Sequence, residues 1–95
     1  MLKIQECKYI DNYKLNVLFD NGSSGIANLQ DEVILEPYKI LQDKNIFRHF
    51  YLDHGAICWL DGKIDMAIEY LFYLANKHKP EWQKLFNEWG YNPLY

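Results

Sequence analysis

Tyr13-Lys14-Leu15-Asn16-Val17-Leu18-Phe19-Asp20-Asn21-Gly22-Ser23 is the stretch whose reading decides the fold. Tyr13, Leu15, Val17 and Phe19 alternate with Lys14, Asn16, Leu18 and Asp20, a period of two that gives one apolar and one mostly polar face. That is the pattern of a half-buried strand. It runs into Asp20-Asn21-Gly22-Ser23, where Asn and Gly tolerate the positive φ of a tight hairpin turn. A second strand is expected to return through Gly25 to Leu29. Upstream, Leu2 to Ile10 reads as another strand, ended by Asp11-Asn12, so the first third predicts a three-stranded meander.

Downstream, the period is lost from Asp31 to Asn45. Pro37 disfavours a helical Glu36 and allows a short helical turn through Tyr38 to Leu41. Ile46 to Asp53 and Ala56 to Leu60, rich in aromatic and β-branched residues, flank Asp53-His54-Gly55 and read as a second hairpin. Asp65 is expected to cap a helix beginning at Met66. Ile64, Ile68, Leu71, Phe72 and Ala75 follow the spacing of its core-facing stripe. Pro80 ends that helix near Lys77 to Lys79 and opens another that runs to Trp89, with Gly90 placed to stop it. The expected class is α+β. A small, mostly antiparallel sheet in two hairpin-bearing halves packs with one main helix (about 66–78) and a C-terminal helix (about 80–89).

The chain of 95 residues suits one core, so residues 1–95 are read as a single domain. Aromatics make up 17% of it, ample material for burial. Thirteen acidic against ten basic residues leave a net charge of -3, which offers no general attraction to nucleic acid or anionic lipid. A local basic patch at Lys8, Lys14, Lys39 and Lys44 is the form that nucleic-acid binding would take. Cys7 and Cys58 read as two buried free thiols rather than a disulfide scaffold. The N-terminus meets charge too early for a secretory signal. The charge-free run Tyr70 to Asn76 is far short of the roughly 20 residues that span a bilayer. The expected location is the cytoplasm.

The ordered elements Tyr13-Lys14-Leu15-x-Val17-x-Phe19-Asp20-x-Gly22, then Leu41-x-Asp43-x-x-x-Phe47, then Ile57-x-Trp59-x-x-Gly62-x-x-Asp65-x-x-x-Glu69-x-Leu71 resemble a small bacterial family, domain of unknown function 2442. The resemblance covers roughly residues 2 to 72. It implies a small α+β domain of strands packed with helix. The chain departs from the family at Leu60, where proline often follows the tryptophan, and at Ala67-Ile68, where a proline near the helix start is common. Residues 76–95 look like an aromatic helical extension. The family has no established activity. Relatives encoded beside small toxin-like proteins or fused to helix-turn-helix domains imply a protein partner, in the narrowest form an antitoxin-like partner of a small toxin.

Candidate sites are few. Asp20, Asp53, Asp61, Asp65 and Glu69 invite a carboxylate cluster, but their expected places in turns, a loop and a cap are those where carboxylates serve backbone amides. His54 and Cys58, four apart across a turn and strand, do not share a face as they would on a helix. With His49, His78 and Cys7 they give no recognisable zinc spacing, so no metal or cofactor is expected. A Cys58-His54 nucleophile pair lacks a third group to orient it. Gly22-Ser23-Ser24-Gly25 lacks the lysine and following helix of a phosphate loop. Trp59 reads as a core anchor.

Trp82, Phe86 and Trp89 fall on one helical face, followed by Tyr91 and Tyr95. That surface either docks on its own domain or forms an interface, where aromatics are favoured anchors. The expectation is therefore a non-enzymatic module that binds another protein or itself through a sheet edge or the aromatic C-terminal segment. The alternative is a small ligand-binding protein or enzyme with a pocket near Asp53, His54, Asp61 and Glu69.

Overall fold

The alternating stretch folds as its pattern requires: Leu15, Val17 and Phe19 are buried, and Asn16 between them is exposed. The computed structural model describes residues 1–91, so Tyr95 lies outside the described residues. Ile4–Tyr9 (β1), Lys14–Phe19 (β2) and Ser24–Asn28 (β3) form an antiparallel sheet in the order β1-β2-β3. A register irregularity between Ile4 and Glu6 bends the start of β1. The turn after β2 is tied by Phe19 N–H to Ser23 O (2.9 Å) and by Ser23 N–H to Asn21 Oδ1 (2.9 Å), the Asx chemistry expected of Asn-Gly. Asp20 accepts the Lys3 N–H at 3.0 Å, so this carboxylate serves the backbone.

A 3-10 turn at Tyr38–Gln42 precedes a single helical turn, Lys44–Phe47 (α1). The strand expected over Ile46 to Asp53 is therefore shortened and begins only at Tyr51. Asp43 is the cause, because its carboxylate accepts the Asn45 N–H at 2.9 Å and nucleates helix through Ile46 and Phe47. Tyr51–Asp53 (β4), Ala56–Trp59 (β5) and Ile64–Met66 (β6) form a second antiparallel sheet in the order β4-β5-β6. Its first turn places His54 at φ 53° and Gly55 at φ 80°, consistent with the mirror-image hairpin turn.

Asp65 does not cap a helix. It lies in β6 opposite Cys58, and the main helix, Ile68–Asn76 (α2), starts from Ala67 with no side-chain cap. Leu60, Asp61 and Gly62 all take left-handed conformations, which return the chain so that Ile64–Met66 pairs with β5 before helix begins. The stripe is buried at Leu71 and Phe72 and half-buried at Ile64, Ile68 and Ala75. After an extended Lys79, Pro80–Trp82 makes a 3-10 turn that leads into Gln83–Trp89 (α3). Gly90 at φ 85° lets the Tyr91 N–H reach back to Phe86 O at 2.8 Å.

The architecture is thus α+β, with two three-stranded antiparallel sheets, a main helix and a C-terminal helix. One contiguous core joins Leu15, Val17 and Phe19 of the first sheet, Ile57, Trp59 and Met66 of the second, Leu71 and Phe72 of α2, and Phe86 of α3. Trp59, wholly buried, donates its indole N–H to Phe47 O at 2.9 Å. The sheets are also linked by Ile4 N–H to Gly55 O at 2.9 Å. Among the described residues no helix is long and apolar enough to cross a membrane.

Candidate interaction surface

The terminal aromatics turn inward. Phe86 is 0% exposed, while Trp82, Trp89 and Tyr91 are half-buried against the core. Phe72 of α2 meets the rings of Trp82, Phe86 and Trp89 at centroid distances of 5.1, 6.0 and 6.0 Å. Tyr91 packs on Tyr70 at 5.5 Å and on Tyr73 at 5.1 Å. Offset and edge contacts of this kind add to burial rather than await a partner. The Tyr70 hydroxyl donates to Glu32 Oε2 at 2.7 Å, and burial together with that carboxylate pushes its pKa up.

The four residues of the alternative pocket do not form one cavity. Asp53 and His54 touch at 2.8 Å on the tip of the β4-β5 hairpin, where the His54 side chain is 93% exposed. Asp61 is exposed in the left-handed loop. Glu69 alone lines a surface depression, shared with Met1, Ala56, Asp65, Met66, Ala67 and Ile68. Among the described residues no group of three or more His, Cys, Asp or Glu side chains is placed to hold a metal ion.

Both cysteines are free. Cys7 is half-buried on the core side of β1, and burial raises its thiol to about 12. Cys58 is 7% exposed; burial, then Asp53 and Asp65, push its thiol up as well. A reactive cysteine needs the opposite shift. Of the four lysines, Lys8 lies 3.9 Å from Glu6, and Lys44 bonds Asn12 Oδ1 at 3.2 Å and sits over the Tyr13 ring. Lys14 is on β2 and Lys39 in the 3-10 turn.

The sheet edges differ from each other. A Cβ added to Gly25 of β3 would come within 2.2 Å of Ala75 O, so the α2 backbone lies directly on that strand. Asn76, buried at the end of α2, accepts from Ser23 Oγ at 3.0 Å and donates to Phe72 O at 3.0 Å. Lys79 Nζ donates to Ser24 O. The Gly25 contact covers the face of β3; on its edge, among the described residues, Ser24 O alone is occupied, while Ile26 and Asn28 turn their backbone groups outward.

The β1 edge is closed at Ile4, whose N–H donates to Gly55 O, and open from Cys7 to Tyr9. Ile10 N–H donates to Lys14 O, and Phe19 N–H points away from β1 to Ser23 O. Backbone groups of successive strand residues face opposite sides. With Glu6 opposite Leu18 and Lys8 opposite Asn16, the amides and carbonyls of Glu6 and Lys8 face β2. Those of Cys7 and Tyr9 face outward, and among the described residues no other strand or turn pairs with them. The sequence pattern points to a sheet edge without distinguishing the strand, because which backbone groups face outward depends on register between strands.

No family model, no curated protein and no solved structure matches the chain.

Proposed function

We propose that this domain is a non-enzymatic protein-interaction module whose recognition element is the open edge of β1. The observation that carries the reading is the β1 edge itself, where Cys7 and Tyr9 present unpaired backbone groups and alternate with the exposed, oppositely charged Glu6 and Lys8. An extended segment added there gains main-chain hydrogen bonds, and side chains on alternate faces supply specificity. The aromatic C-terminal segment serves this reading as the brace of α2, which covers one face of the same sheet. An antitoxin-like role toward a small toxin is the narrower form, and it rests on the family resemblance alone.

The test is affinity capture with the full chain and its Cys7→Pro variant. Proline removes an N–H that faces away from β2 and so leaves the ladder with β2 unbroken. Circular dichroism should report the same fold for both. The expected outcome is a protein bound in fixed stoichiometry by the parent chain and lost from the variant. Equal retention by both chains would remove the β1 edge from the account.

A further inference from the structure

Resting on the reading of β1 as the recognition edge, we propose that its occupant is a second copy of this chain. β1 pairs antiparallel with β1 of the other copy about a two-fold axis at Cys7. Three observations carry this.

The first is the phase of the backbone. Cys7 faces outward, so two Cys7 residues brought opposite each other form a hydrogen-bonded pair, each N–H donating to the other's carbonyl. The second is charge. Glu6 and Lys8 flank Cys7 and lie on the solvent face, their side chains 60% and 77% exposed. A two-fold at Cys7 sets Glu6 opposite Lys8 of the second copy and Lys8 opposite its Glu6. These fall at the closely spaced, non-hydrogen-bonded positions, where cross-strand charge pairs act most strongly.

The third is the fate of the other registers. A two-fold at Lys8 sets lysine against lysine, and one at Glu6 sets glutamate against glutamate. A two-fold at Tyr9 matches Lys8 with Ile10 and forms no ion pair. Only the Cys7 register satisfies both the backbone and the charges. Isolated charges on an edge strand normally discourage pairing, but here their alternation makes the edge complementary to itself, as an isologous interface requires. The sheets of the two copies then join into one, with β3 of each at the far margins.

The irregularity between Ile4 and Glu6 and the Gly55 carbonyl on Ile4 N–H end the free edge there, and the two-fold repeats that limit at the other end, so the shared ladder is short and belongs to the weak, transient class of interfaces. It is best read by sedimentation equilibrium over a series reaching the millimolar range. The parent chain should follow a monomer–dimer equilibrium. Glu6→Lys alone and Lys8→Glu alone each place two like-charge pairs across the axis and should raise the dimer dissociation constant about tenfold or more. The double exchange Glu6→Lys with Lys8→Glu should restore it. An equimolar mixture of the two single variants should form a mixed dimer, because every pair across the axis is then opposite in sign. These positions are exposed, so folding is not at stake.

A parent chain that stays monomeric throughout overturns the inference, as does a dimer indifferent to both single reversals or a mixture that does not associate. The two readings fail separately. A monomeric parent whose Cys7→Pro variant loses a captured protein overturns the second copy and keeps the β1 edge. A dimer that survives both Cys7→Pro and the charge reversals overturns the edge itself.

Discussion

Leu60 at φ 54° is the residue on which the chain's path into β6 depends. A branched side chain in the left-handed region carries strain on the order of 1–2 kcal/mol. Proline is locked near φ of about −65° and fits no such turn. Leu60→Pro should therefore lower stability by about 3 kcal/mol or more. Ala67 is the opposite case, since its φ of -56° already suits proline. Ala67→Pro should stabilise by about 0.5–1 kcal/mol through the unfolded chain. Urea unfolding of the two variants checks both signs.

Cys7 supplies a second prediction at this scale. Its folded pKa stands at about 12 against an ordinary 9.0, raised by burial. Below pH 9 both folded and unfolded chains keep the proton, and the stabilising difference is fully present. As pH rises, the unfolded chain ionises first, so stability falls progressively up to about 12. Tyr38 and Tyr70, also held up by burial, add to the alkaline loss. Urea midpoints should fall between pH 8 and pH 11 (about the span in which thiols and phenols titrate), and Cys7→Val should make the fall shallower. Equal slopes for the two chains would contradict the assignment.

Among elements, α2 docks on the face of β3 through a direct backbone approach at Gly25. Gly25→Ala puts a methyl group into Ala75 O, and backbone on both sides must move. The expected loss is about 2–3 kcal/mol, measured by urea unfolding, with amide exchange quickening in β3 before β1. An unchanged midpoint would mean that the two backbones do not approach so closely.

The elements readable from sequence are those set by local chemistry. The Tyr13–Ser23 hairpin, the Asp53-His54-Gly55 turn and the Pro80-to-Gly90 helix each carry their own signals. β6 escaped because Leu60 and Asp61 are ordinary residues in an unusual conformation, and Asp65 reads equally well as a helix cap. α1 escaped because Asp43 stands in a stretch with no period. The inward turn of Phe86 and Trp82 is one of two readings the sequence leaves open, because the ring they pack on, Phe72, belongs to α2.

For the whole molecule, one relation ties these features together. The aromatic C-terminal helix packs on α2, α2 covers one face of β3, and the Cys7–Tyr9 stretch of β1 keeps an edge that can accept another strand. β4 and β6, three residues each, offer far less. Amide hydrogen exchange followed residue by residue at low and high protein concentration tests this most directly. Glu6 and Lys8, bonded to β2, should be protected at both concentrations. Cys7 and Tyr9 should exchange fast when dilute, and Cys7 at the axis should gain the most protection as concentration rises. If Cys7 and Tyr9 exchange equally fast at both concentrations while protection grows instead at Trp82, Trp89 or Tyr91, the edge of β1 is not where this protein meets its partner.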